Sequence, residues 1–145
     1  LELPEGELSA FCDRTRIEQI LVNLIGNSVD ALAGLPWQRR KVRVFLHGDE
    51  ERATLAIEDT GHGIAPDKMD QIFEPYFTTK PKGKGTGLGL PVVKQIVESY
   101  GGTIVVTSKQ GEGTRFEITL PRKQQKKVAF TKPSIDEDDA LENAA

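Results

Sequence analysis

The chain has 145 residues, 37% hydrophobic and 28% charged, which is the size and mixture of one globular domain with a single core. A formal net charge of −3 excludes the basic footprint of a nucleic-acid binder, and no run approaches the roughly 20 apolar residues that span a bilayer. The lone Cys12 has no internal partner and no Cys/His group has zinc-like spacing, so a reducing, cytoplasmic setting is expected. The chain opens with Leu1 and its one methionine is Met69, the pattern of a segment excised from a longer protein.

Between Asp13 and Ala33, Ile17, Ile20, Leu21, Leu24, Ile25 and Leu32 recur at helical spacing, with Asp13 as N-cap and Gly34 and Pro36 as the stop. Lys41 to Leu46 and Ala53 to Asp59 read as strands of a hairpin, turning at His47-Gly48-Asp49-Glu50. Pro66 to Phe73 reads as a short helix with Met69, Ile72 and Phe73 on one side. Beyond a loop rich in glycine and lysine, a helix is expected over Leu88 to Tyr100, terminated by Gly101-Gly102. Strands Thr103 to Ser108 and Thr114 to Leu120 flank Gln110-Gly111-Glu112-Gly113. The order predicts an α+β two-layer sandwich: a mostly antiparallel, mixed sheet covered on one face by about three helices. The domain is expected over 1–121. Residues 122–145, basic then acidic and poor in large apolar side chains, read as a disordered tail or linker.

Three features bear on chemistry. On the long helix, Gln19, Asn23, Asn27 and Asp30 fall within an arc of about 80° beside the apolar stripe. Such a face is either merely solvated or a set of side-chain oxygens for a hard cation such as magnesium. Asp59-Thr60-Gly61-His62-Gly63-Ile64 follows a strand; it is either an ordinary Asp-Xaa-Gly turn or a carboxylate for an exocyclic amine, with glycines that let backbone approach a flat ring. Gly83-Lys84-Gly85-Thr86-Gly87-Leu88-Gly89-Leu90 runs into a helix start and is either a hinge or a phosphate cradle. It is neither a Walker A loop nor a Rossmann fingerprint. Upstream, Phe73-Glu74-Pro75-Tyr76-Phe77-Thr78-Thr79-Lys80 joins aromatics, which anchor a loop, to two hydroxyls and a cation able to reach a terminal phosphate. Lys82 and Lys84 are weaker candidates, and His47 and His62 have no catalytic constellation.

Asn23 to Ser28 resembles the asparagine box of bacterial sensor histidine kinases, Asp59 to Ile64 the first glycine box, Phe73 to Phe77 the phenylalanine box, and Gly85 to Leu90 the second glycine box. Gly111 to Phe116 resembles the last glycine box, and the five stand in the family's order over residues 8 to 121. The resemblance implies the Bergerat ATP-binding fold, with ATP and Mg2+ as cofactors. It implies that Asn27 ligates magnesium with Asn23 assisting, that Asp59 holds the adenine amino group, and that Thr114 joins an ordered water beside it. Asp30 and Ala31, Gly61, Gly63 and Ile64, Phe73, and Thr78 to Lys80 would complete the ATP site. Gly85, Thr86, Gly87, Leu88, Gly89 and Leu90 would wrap the phosphates within a lid. Asp30 stands where many members carry lysine, and Lys80 is the expected substitute. Asn23 stands where hydrolytic relatives carry glutamate; an asparagine is a poor general base, so Asn23 and Lys80 would serve transfer rather than hydrolysis.

The resemblance further implies transfer of the γ-phosphoryl group to a histidine on a separate helical dimerisation domain, with a response regulator served indirectly. The fragment is then expected to be monomeric, with any membrane contact made by parts of the protein outside this chain. A serine kinase of the anti-sigma type, a degenerate nucleotide sensor and a plain interaction module are the alternatives.

Overall fold

A computed structural model describes residues 8–81 and 85–123. The first helix, α1 (Arg14–Ala31), starts where Asp13 Oδ1 accepts the Thr15 N–H at 2.8 Å, a side-chain cap on one of the free amides of the first turn. It ends two residues before the expected Ala33, with Leu32 as C-cap. Ile20, Leu24 and Leu32 are buried by it, whereas Ile25, expected in the same stripe, is exposed. A short 3-10 turn, Trp37–Arg39, then leads into the sheet.

The first hairpin is β1 (Val42–Gly48) and β2 (Arg52–Asp59). Its turn is shorter and later than expected: His47 and Gly48 belong to β1, and Asp49 Oδ1 accepts the N–H groups of Glu51 and Arg52, each at 2.8 Å. An Asp side chain that satisfies two turn amides makes the further loop residues unnecessary. The second hairpin is β3 (Thr103–Lys109) and β4 (Gly113–Pro121). The sheet order is β1-β2-β4-β3 and every pairing is antiparallel, so among the described residues the expected mixed character is absent.

Register turns the alternation of these strands into rows. Val44, Ile57, Phe116 and Val106 lie side by side, as do Leu46, Leu55, Ile118 and Ile104. Against these rows pack α1 and α2 (Gly89–Ser99), whose Val93, Ile96 and Val97 complete the core with Ile20 and Leu24. The third row on this face, Val42, Asp59, Thr114 and Ser108, is largely polar and lies at one end of the sheet. On the opposite face Arg43, Glu58, Arg115 and Glu117 form a chain of ion pairs, and the Arg115 guanidinium sits 5.0 Å from the Phe45 ring centroid.

One expectation fails here. Pro66 to Phe73 forms only the 3-10 turn Pro66–Lys68 followed by further turns, so among the described residues two α-helices cover the sheet where about three were expected. Its apolar residues follow the helical period, but the Pro75 that follows is incompatible with a continuing helix, and the segment is held by the walls it packs on. Arg122, expected as the first residue of the tail, is tied to the first hairpin: its N–H donates to Glu51 O at 2.8 Å and its Nη1 to Asp49 O at 2.7 Å. The remainder of the expected tail, 124–145, lies outside the described residues, as do Lys82, Gly83 and Lys84.

Leu24, fully buried between helix and sheet, and Val22, 73% exposed on the same helix, give a paired test. Leu24→Ala is expected to lose about 2–5 kcal/mol and Val22→Ala under about 0.5 kcal/mol in chemical denaturation.

Candidate functional site

The polar row of the sheet forms one end of the site. Asp59 closes β2, pairs with Thr114 at the start of β4, and is 4% exposed; Thr114 is 6% exposed. Asp59 Oδ1 accepts the Gly61 N–H at 2.8 Å. A Cβ on Gly61 would lie 2.6 Å from the Ala31 Cβ, so only glycine lets the loop after β2 close onto the end of α1. The His62 N–H then reaches Ala31 O at 3.1 Å. Ser108 Oγ ties the arrangement together: it receives the Ile64 N–H at 2.9 Å, donates to Gly113 O at 2.9 Å and lies 3.0 Å from Thr114 Oγ1. Ser28 Oγ, on α1, faces the Asp59 carboxyl without completing a hydrogen bond, the one buried side-chain polar atom among the described residues left without a partner.

Burial pushes the Asp59 carboxyl above its ordinary pKa, opposed by the Gly61 N–H. The carboxylate is therefore held in a place where a hydrogen-bond donor from a ligand would relieve a real desolvation penalty.

The other end is built by α1 and the segment before α2. Asn27 and Asp30, three residues apart on one face of α1, both reach Lys80: its Nζ is 3.1 Å from Asn27 Oδ1 and 2.6 Å from Asp30 Oδ2. Asn23 uses its amide nitrogen on Gln19 O at 2.9 Å, and its oxygen faces Gly89 at the start of α2, where a Cβ would come within 2.8 Å. The loop carrying Lys80 is clasped at its base. Tyr76, with φ 68°, donates its N–H to Gly87 O at 2.9 Å, and any side chain on Gly87, itself at φ 66°, would run into the Tyr76 backbone. Thr78 Oγ1 accepts the Lys80 N–H at 3.1 Å and Thr86 Oγ1 the Leu88 N–H at 3.3 Å.

Between these ends lies a cavity of about 700 Å3. Of the residues expected in the site, Asn23, Asn27, Asp30, Ala31, Asp59, Gly63, Ile64, Thr78, Thr79, Lys80, Gly85, Thr86, Gly87, Gly89, Leu90 and Thr114 line it. Gly61, Phe73 and Leu88 do not. Gly61 acts from behind Asp59; Phe73 turns to α2, with Lys94 Nζ 5.4 Å from its ring centroid; and Leu88 is the N-cap of α2 with its side chain exposed. Phe77, expected only as an anchor, forms part of the wall instead. Ile72, Ala65, Pro91 and Phe116 supply apolar lining that sequence reading did not assign; Phe116 was within reach of it, two residues after Thr114 on one strand. His62, inside the Asp59–Ile64 segment but given no role there, also lines the cavity, whereas Lys68 and Gln110 carried no signal, because only the fold of their loops brings them there.

Among the described residues no group of three or more His, Cys, Asp or Glu side chains is placed to hold a metal. Asn27 Oδ1 nevertheless already accepts from a cation, the Lys80 ammonium, so this carboxamide oxygen suits a hard divalent ion whose other ligands come from a bound anion and water.

A family model described as "Histidine kinase-, DNA gyrase B-, and HSP90-like ATPase" matches residues 12–124. The chain belongs to that family. It is 43% identical over 109 residues to the sensor histidine kinase ZraS of Escherichia coli K12, covering 75% of this chain and 22% of ZraS. It is 37% identical over 129 residues to the autoinducer 2 sensor kinase/phosphatase LuxQ of Vibrio parahaemolyticus, covering 86% of this chain and 15% of LuxQ. The chain thus spans less than a quarter of the length of these curated relatives. Among solved structures, the catalytic domain of the histidine kinase ThkA matches with a TM-score of 0.65 at 30% identity, covering 77% of this chain and 70% of that one. A mycobacterial sensor histidine kinase, MprB, matches with a TM-score of 0.65 at 32% identity, covering 78% and 74%. The α+β sandwich expected from the sequence is therefore that of the ATP-binding catalytic domain of sensor histidine kinases. No helix among the described residues is long and apolar enough to cross a membrane.

The raised pKa of Asp59 sets a pH dependence. At neutral pH the carboxylate is charged in both states and its burial destabilises the fold; as pH falls through the raised native value, the native carboxyl binds a proton first and that penalty disappears. Asp59→Asn is therefore expected to melt above the parent at neutral pH, the difference shrinking on acidification, as thermal denaturation across the acid range would read.

Proposed function

We propose that this domain binds Mg·ATP in the cavity and passes the γ-phosphoryl group to a histidine on a separate helical dimerisation domain of the same kinase, which in turn serves a response regulator. The observation that carries this reading is the polarity of one cavity: a buried carboxylate at one end, and two carboxamides, a lysine and a helix start at the other. Asp59 accepts the adenine amino group, with Thr114 alongside through an ordered water, and the backbone of Gly61, Gly63 and Ile64 leaves room for the ring. The free N–H groups at the start of α2, with Gly85 to Leu88 before them, face the phosphates. Asn27, with Asn23 beside it, holds the metal, which when bound neutralises phosphate charge.

In the transfer, an imidazole nitrogen of the incoming histidine forms a bond to the γ-phosphorus while the bond to the β–γ bridging oxygen breaks, and ADP keeps that electron pair. Lys80 stabilises charge on the transferring group, and Asn27 and the loop glycines hold it in line. Neither histidine of this chain suits the acceptor role: His47 lies in β1, and His62 has its Nδ1 2.6 Å from Gly63 O. With asparagine at 23, no general base stands ready to activate water, so hydrolysis by the domain alone is slow.

Titration with a non-hydrolysable ATP analogue is expected to show magnesium-dependent binding, and labelled ATP with an added helical phosphoacceptor domain is expected to leave acid-labile label on that domain. Binding without transfer would overturn the kinase reading. Asp59→Asn should weaken ATP binding by about 1.5–3 kcal/mol in calorimetry and narrow the preference over GTP. Asn27→Ala should flatten the dependence of affinity on magnesium; a dependence as steep as the parent's removes Asn27 as the ligand.

A further inference from the structure

Lys80 is the cation expected to meet the terminal phosphate, yet its ammonium is already engaged, by Asn27 Oδ1 at 3.1 Å and Asp30 Oδ2 at 2.6 Å. The oxygen it holds on Asn27 is the one offered to a metal ion. A divalent cation on that oxygen would sit within a few ångströms of the ammonium, and like charges at that separation repel strongly in a partly enclosed cavity. The two occupancies of Asn27 therefore oppose each other.

We propose that Asp30 is a latch: without nucleotide it parks Lys80 on α1, across the Asn27 oxygen, and arrival of metal and phosphate must break the Asp30–Lys80 pair before Lys80 can move to the phosphate. This rests on the reading of the cavity as the Mg·ATP site. The geometry suits a releasable contact. Asp30 and Lys80 have side chains 56% and 33% exposed, so the pair is screened and worth little enough to break. Thr78 Oγ1 holds the Lys80 backbone N–H at 3.1 Å, so release of the ammonium needs only a change of side-chain rotamer. Asp30 thereby couples the position of the Lys80 ammonium to occupancy of the metal site, and it lowers affinity for nucleotide.

The test is a double-mutant cycle read by calorimetric affinity for a non-hydrolysable ATP analogue, with parent, Asp30→Asn, Lys80→Met and the double variant, each checked for an unchanged melting profile. Asp30→Asn is expected to tighten Mg-analogue binding about two- to fivefold in the parent background, the upper range of an exposed ion pair. The gain should be smaller by about twofold or more in the Lys80→Met background, since repulsion between Asp30 and phosphate contributes equally to both and only the broken pair distinguishes them. It should also shrink when magnesium is chelated. Equal gains in the two backgrounds overturn the latch and leave simple repulsion. Weaker binding on Asp30→Asn overturns it too, as Asp30 would then be steadying Lys80 on the phosphate. A gain unaffected by chelation overturns competition at Asn27. Failure of the parent to bind the analogue at all overturns the functional reading itself, which separates the two failures.

Discussion

A carboxylate shut away from water must be met by donors or be expelled, and the way the fold meets Asp59 organises this end of the molecule. Asp59 is placed by the β2–β4 register, which sets it beside Thr114 and one strand from Ser108. Its first partner, the Gly61 N–H, exists only because the chain turns back immediately after β2, and that turn is possible only because glycine meets Ala31 of α1 without a side chain. The same turn lets the His62 N–H bond Ala31 O at 3.1 Å, which ties the end of the sheet to the helix. Burial nonetheless holds the carboxyl above its ordinary pKa.

The opposite end follows a different logic. Asn27, Asp30 and Lys80 are exposed enough to rearrange, and the contact among them holds a loop through charge rather than through packed apolar surface. The clasp at Tyr76 and Gly87 confines such rearrangement, because both residues sit at positive φ and the glycine admits no side chain against the tyrosine backbone. Asp59 is thus held in a buried polar row, whereas the Lys80 contacts lie at a partly exposed end of the same cavity. The chain spans less than a quarter of the length of its curated relatives.

Periodicity carried most of the architecture. Four strands alternating over two hairpins and two helices with separate apolar stripes were legible because each follows local backbone geometry. The segment from Pro66 to Phe73 was misread as a helix because its apolar spacing serves cavity walls: Ile72 lines the cavity while Phe73 turns to Lys94 on α2. The five boxes, in order, identified the family and most of the cavity lining. Phe73 and Leu88 were carried along by their boxes although their side chains face elsewhere, since a motif records which residues stand together and not which way each points.

The sequence by itself determined the element types, the family, the carboxamide face of α1 and the chemistry available at Asp59, because these depend on spacing within one segment. Only the tertiary structure decided that Ser108 links Ile64, Gly113 and Thr114, that Lys68 and Gln110 reach the same cavity, and that Lys80 lies on Asn27 and Asp30. Those contacts join residues from separate strands, helices and loops, some more than fifty positions apart, and no local period encodes them; they arise when strand register and helix packing fix which side chains share a space.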